Sequence, residues 1–401
     1  MTVVPPRSVD PSARRERRGL LLAFAAFGLF WGSWSAVLPD IRERAGLGDG
    51  ALGLALGAVA VAALPAMPFA GRLVDRSGPR GLLPRVLLAF AAVGALLGVA
   101  GSPVALVGGL LLLGAATGVL DVVINTATAA WERMEGDRLM AAAHGCFSVG
   151  VLLGAVLTGW ARELGARPPL VLGVTAVGVA AAALVQPQYR RAPTVEALAG
   201  GRRRLAPVLL GLGAVVAASF LLEDAVQSWS ALHLERTLGA PPWVSGLGPG
   251  LFAGAMAAGR FGAHALFRAG RDAAVVRTGG LLTFGGVLGL AFAPTPGFAL
   301  AGDVLAGAGV SVLAPTLLSV VGARSLPGRQ GADLALVTAC GYTGFVVGPL
   351  LVGLLSAALS LPSAIGLLAV LAVVIAIGGP LLLGTPVPAG APASGRRAGA
   401  G

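Results

Sequence analysis

GVLLGAVLTG, residues 150–159, returns as GFVVGPLLVG at 344–353, so that Gly150, Gly154 and Gly159 meet Gly344, Gly348 and Gly353 at a constant displacement of 194. Cys146 meets Cys340 at the same displacement, and LLGAATGVLD (112–121) meets LAGAGVSVLA (305–314) at 193. The tetrapeptide SWSA occurs at 33–36 and again at 228–231, displaced by 195, and GRLVDRSG (71–78) has a degraded counterpart in AHALFRAG (263–270) at 192. Four sites with nearly one shift mark a duplication, and small residues at such spacings let helices pack closely in a membrane.

The composition sets the solvent for that duplication. Of 401 residues, 56% are hydrophobic and 12% charged, with 62 Gly, whereas a soluble domain carries about 25% charged residues. A membrane-spanning helix needs roughly 20 mostly apolar residues. Twelve such spans are readable, near 19–39, 51–71, 81–101, 105–131, 141–161, 169–187, 206–232, 243–262, 273–293, 298–322, 333–357 and 361–384. The expected fold is an all-α integral membrane protein of twelve transmembrane helices in two six-helix pseudo-symmetric halves. Its division is a tail at 1–18, halves at 19–187 and 206–384, a linker at 188–205 and a tail at 385–401.

Orientation follows from the basic residues, which accumulate in cytoplasmic loops. All 29 are Arg. With the N-terminus inside, 24 fall on the cytoplasmic side, Arg260 among them, and only Arg42, Arg44, Arg162, Arg167 and Arg236 fall outside. Both termini are therefore expected in the cytoplasm. The formal charge of +11 is accounted for by this distribution, since a nucleic-acid surface would gather Arg with aromatics on one folded face. The start MTVVPPRSVDPSARRERR lacks a cleavage pattern, so no removable signal peptide is expected. The two cysteines sit singly in spans five and eleven, which suggests packing rather than a disulfide or metal site.

Parallel six-span halves place a substrate site near the bilayer midplane between them. GRLVDRSGPR (71–80), between the second and third spans, resembles the signature loop of the major facilitator superfamily, G-x-L-x-D-R-x-G-x-R. The resemblance covers the whole chain. Within that superfamily, DVVINTATAAWERMEGDRLMAAAHGCFSVGVLLG (121–154) and EDAVQSWSALHL (223–234) resemble a bacterial branch near the fucose–proton symporter-like permeases. Fucose-type proteins carry a carboxylate in span one, and AFAAFGLFWGSWSAVLP has none. The resemblance implies a secondary transporter in the bacterial inner (cytoplasmic) membrane, surrounded by lipid. It also implies a small-molecule substrate, protons as the coupling ion and a monomer that suffices. A proton-driven drug or metabolite exporter of the same fold, and a non-transporting membrane sensor or assembly protein that retains the fold, are the competing readings. Span eleven carries the Gly-Pro pattern that antiporters have on span five; span five here lacks the Pro.

In the signature loop, Gly71 and Gly78 permit tight turns and close helix approach, and Asp75, Arg76 and Arg80 form a charged clasp. The resemblance implies that Asp75 latches the halves near Asp333 at the start of span eleven in the outward-facing state. Ionisable groups inside a membrane are costly and usually face a cavity or a partner. Asp121, with Asn125, Thr128 and Glu132 on its helical face, is a substrate or proton candidate. Glu223 and Asp224 in span seven are two more, with Gln227 one turn on. As neighbours they cannot share one face, so one is expected on the cavity and the other in an interface or toward the outside. His144, brought near the Asp121 stripe by a tight loop, is a proton-relay candidate. Asp303 reads as interfacial, and Trp34 and Trp229 read either as interfacial anchors or as a lining of the outer entrance. No H-E-x-x-H, G-x-S-x-G or Walker sequence occurs. With no Lys at all, an ATP-driven pump is excluded on this chain, and neither enzyme activity nor a cofactor is expected.

Overall fold

The computed structural model describes residues 11–78, 81–189, 207–266, 271–325 and 330–384. Fourteen helices are present among them, and no strand. The first half contains α1 (Pro11–Arg44), α2 (Asp49–Ser77), α3 (Leu82–Gly98), α4 (Pro103–Glu135), α5 (Met140–Glu163) and α6 (Pro168–Leu184). The second contains α7 (Pro207–Arg236), α8 (Pro242–Leu266), α9 (Asp272–Ala291), α10 (Pro296–Val310), α11 (Leu313–Arg324), α12 (Gln330–Ala358), α13 (Leu361–Leu367) and α14 (Ala369–Gly384). The α10/α11 and α13/α14 pairs are each one interrupted rod, which restores twelve. Pro315 explains the first interruption, because it has no N–H for the Ser311 carbonyl and its ring crowds that group.

The duplication survives in helix starts. The helices α2 and α8, α4 and α10, and α6 and α13 begin 193 residues apart, at 49/242, 103/296 and 168/361. Pro103 and Pro296 occupy first-turn positions where a missing N–H is harmless. The Ser102 hydroxyl caps α4 by accepting from the Ala105 N–H at 3.3 Å.

The glycine ladder divides its labour. A Cβ on Gly150 or Gly154 would strike the α1 carbonyls of Ala25 or Leu29, and one on Gly28 or Gly32 would strike Phe147 or Val151 of α5. In the second half, Gly344 and Gly348 of α12 meet the Ala217 and Leu221 carbonyls of α7 in the same way. The third rung turns to the other half. Gly159 abuts Gly246 of α8, and Gly353 abuts Gly53 of α2. Two glycines of each ladder therefore close a half, and the third joins the halves.

Helix α1 begins at Pro11, well before the expected span. Its first turns lie against the bundle: Glu16 is buried and the Trp131 indole donates to the Ala13 carbonyl at 3.1 Å. Tyr189 packs beside Gly19, where burial and the Glu16 carboxylate push its phenol above the usual range. Among the described residues, nine helices, the two interrupted rods counted as one each, are long and apolar enough to cross a membrane, and α3 and α6 are shorter apolar helices. The arginine rule makes the end carrying Arg76, Arg133 and Arg138 the expected inner end.

Candidate functional site

Halfway along α7, where both halves meet, polar side chains keep partial exposure although the surrounding helices are apolar. Glu223, Asp224, Gln227 and Ser228 of α7, Asp121 and Asn125 of α4, Arg260 of α8 and Tyr342 of α12 are all half-buried. Asp121 Oδ2 accepts from the Tyr342 hydroxyl at 2.5 Å, a bond between the two halves. Its Oδ1 accepts from Asn125 at 3.0 Å, and the same amide reaches the Asp121 carbonyl at 2.9 Å. Thus the one-turn spacing of Asp121 and Asn125 orients the carboxylate toward α12.

Glu223 accepts from Arg260 at 3.3 Å, and Arg260 also donates to Ser148 of α5 at 3.0 Å. Arg260 therefore turns into the helix bundle and leaves the tally of loop arginines. Its long stem lets a position near the inner end of α8 deliver charge toward the middle, which a count of loop charges does not detect. Asp224 makes no hydrogen bond or ion pair among the described residues. It lies one turn from Phe220, whose ring stacks on Phe345 at 4.6 Å and 14° and meets Tyr342 at 6.3 Å. Both adjacent carboxyls are thus half-buried at mid-helix, and neither sits toward the outer end. Gln227 reaches Ser35 of α1 at 3.5 Å, linking the neighbourhoods of the two SWSA stretches.

Several sequence-predicted residues lie elsewhere. Thr128 is fully buried and bonds its own helix at Ile124, while Glu132 accepts from the backbone N–H groups of Leu139 and Met140 and caps α5. The polar stripe therefore ends at Asn125. His144 sets its ring edge-on to Phe24 at 5.1 Å and has no hydrogen bond to that stripe. Trp34 and Trp229 are 2% and 0% exposed, which puts them in the helix core, neither at a lipid interface nor on an open lining. The outer-end tryptophans are instead Trp160 and Trp243, stacked at 5.4 Å. Asp303 is fully buried, accepting from Ser230 at 2.7 Å, and is not interfacial.

The clasp is only partly visible. Gly78 ends α2 with φ +69°, a conformation suited to Gly, but Gly71 sits within α2 with open space where a Cβ would go, so it serves no close approach. Asp75 and Arg76 are in the last turns of α2; Arg80 lies outside the described residues.

Above the central polar residues, two charged nodes tie the outer ends. Arg162 of α5, with 3% of its side chain exposed, donates its Nε to Asp40 of α1 at 2.8 Å and Nη1 to the Ala36 carbonyl at 2.8 Å. It also forks onto Glu235 of α7, Nη2 to Oε2 at 3.1 Å, and Glu235 accepts from Ser245 of α8. Asp49 of α2 pairs with Arg42 at 3.0 Å and with Arg236 of α7, and accepts from Ser356 of α12 at 2.6 Å. Each node contains residues of both halves. Sequence counting put Arg162 in an outer loop, whereas it is buried; the legible signal was its place inside the ladder helix, three residues after Gly159.

Comparisons with known proteins agree with this architecture. An uncharacterised MFS-type transporter of Yersinia pestis is 29% identical over 388 residues, covering 94% of this chain and 97% of the relative. Membrane protein MosC of Rhizobium meliloti is 27% identical over 399 residues, covering 94% and 96%. Among solved structures, a bacterial homolog of the human lysosomal transporter Spinster, inward-facing and occupied, matches with TM-score 0.71 at 15% identity over 94% of this chain and 97% of that one. The nucleoside transporter NupG matches with TM-score 0.70 at 14% identity over 92% and 100%. The sequence profile of the Major Facilitator Superfamily matches residues 20–282, from α1 to the middle of α9, and the chain belongs to that superfamily.

Proposed function

We propose that the chain is a secondary transporter that moves a small solute across the bacterial cytoplasmic membrane by alternating access, coupled to protons. The observation that carries this reading is the set of half-buried ionisable groups from both halves around the middle of α7, between helix ends tied by Arg162 and Asp49 and the opposite ends. Such groups are expensive in a membrane and mark solute or proton pathways. Asp121 and Glu223 are the proposed proton carriers, because each is half-buried near the junction of the halves and is held by few partners. Asn125, Asp224 and Gln227 are proposed as solute contacts. Asp75, Arg76, Gly78 and Arg80 are proposed as an inner clasp that engages when the outer nodes part. A monomer contains every element of this scheme.

Uptake and efflux in proteoliposomes under an imposed pH gradient test the reading, using a solute panel with wild type, Glu223→Gln and Asp121→Asn. Gradient-driven movement that either variant abolishes is the expected result. If no solute moves in either direction and no proton flux appears, a sensor or assembly role replaces transport. The stacked Phe220 and Phe345 beside Tyr342 favour a second reading of direction, export of an aromatic or amphipathic compound, and efflux exceeding uptake in the same vesicles would select it.

A further inference from the structure

The middle of the bundle has an unbalanced charge. Among the described residues, the half-buried acids around the middle of α7 are Asp121, Glu223 and Asp224, and the half-buried bases there are Arg260 and His144. Arg260 is engaged by Glu223 and Ser148, and His144 packs on Phe24. The half-buried thiols of Cys146 and Cys340 are the remaining titratable groups there besides the Tyr342 phenol, and Asp303 is sealed off behind α7. One carboxylate of three thus has a cationic partner. Asp121 has only an amide and a hydroxyl, and Asp224 has neither.

The aromatic residues are placed between those two carboxylates. Tyr342 bonds Asp121 through its hydroxyl and turns its ring toward Phe220 and Phe345, and Phe220 precedes Asp224 by one helical turn. The duplication offers an internal comparison. At the displacement of 193 that relates α4 to α10, Asp121 meets Ala314, which is 8% exposed and taken up in packing. At the displacement of 192 by which the ladder contacts match Ala25 and Leu29 of α1 to Ala217 and Leu221 of α7, Asp224 meets Gly32, which packs against Val151. The mate of each uncompensated acid is apolar, so packing at either position of this fold is met without a charge.

We infer that the solute carries a positive charge on an aromatic or apolar body, its cation facing Asp224 and Asp121 and its body lying on Phe220, Tyr342 and Phe345. This rests on the transporter reading and names its substrate class. A cation meets two carboxylates that have no counter-charge, and ring faces add attraction of their own. An anion would meet a surplus of like charge in a poorly solvated space, and a neutral solute would leave both acids uncompensated.

Two pairs of like-shaped probes separate charge from shape: tetraphenylphosphonium against tetraphenylborate, and benzyltrimethylammonium against benzenesulfonate. Binding to the purified full chain is followed by thermal stabilisation and intrinsic fluorescence, referenced to protein-free micelles. The cation of at least one pair should bind saturably and more tightly than its anionic counterpart. Asp224→Asn or Asp121→Asn, with a wild-type melting temperature, should weaken it roughly tenfold, as expected for loss of a close charge pair. The inference is overturned if an anion binds as tightly as its partner cation, if none of the four probes binds, or if both folded variants keep the wild-type preference. Gradient-driven transport together with an anionic preference would remove the substrate class and leave the transporter standing; cation binding without any transport would do the reverse.

Discussion

Arg162 is the residue on which the outer end turns, since one buried guanidinium serves Asp40 of its own half and Glu235 of the other. Truncating it strands two carboxylates, and breaking a buried pair from one side costs about 3–5 kcal/mol. With Asp40 29% and Glu235 18% exposed, the loss should fall at the lower end of that range. Arg162→Ala is therefore expected to lower the melting temperature and to open the outer face. Gln227→Cys, in a chain whose Cys146 and Cys340 are changed to Ala, should then react faster with an impermeant thiol reagent in intact cells. Arg162→Lys keeps charge but lacks the planar fork, so its labelling rate should lie between the two; unchanged labelling in both variants would sink the lock. The acids Asp121, Glu223 and Asp224 were legible in the sequence because charge stands out within an apolar run. Arg162 and Arg260 were not, because a loop tally cannot register a long side chain that turns back into the bundle.

At the scale of helices, the glycine ladder makes a prediction that depends on which rung is filled. Gly154→Leu places a side chain against the Leu29 carbonyl inside one half, and overpacking of this kind costs typically about 1–3 kcal/mol. It should reduce melting temperature and yield. Gly159→Leu meets Gly246 across the halves, so the half still folds while the outer ends are wedged apart. Its signature is faster labelling at position 227 with a smaller loss of stability than Gly154→Leu; equal stability losses and no gain in labelling would show that the third rung does not differ from the others. The ladder itself was readable from spacing, whereas the tenth span was read as one rod at 298–322 and the break before Pro315 emerged only in the structure. The assignment of rungs was not readable, because which neighbour a helix face meets depends on how the halves assemble. The same reason hid the fate of the tryptophans: SWSA marked the duplication correctly, but burial of Trp34 and Trp229 follows from packing that no local pattern encodes.

At the scale of the molecule, the duplication explains both how the fold was legible and how it holds together. Helix starts recur 193 residues apart, so the sequence carried the two-half plan, whereas the contacts between halves are where the repeats diverge and where sequence reasoning stopped. Each half closes its own core, α1 against α5 and α7 against α12, before it meets the other. Contacts between the halves include two glycine crossings, two charged nodes, the Tyr342–Asp121, Arg260–Ser148 and Gln227–Ser35 bonds and the Trp160–Trp243 stack. Chains 1–189 and 207–401 made separately in one cell should therefore fold and associate, so that a tag on the first recovers the second from detergent. Carrying Arg162→Ala and Asp49→Asn on the first piece removes charge from both nodes but leaves the glycine crossings. Recovery should fall sharply without change in the amount of either piece in the membrane. Undiminished recovery would mean that the halves join without the charged nodes, and loss of the separate pieces themselves would mean that neither half completes its core unaided.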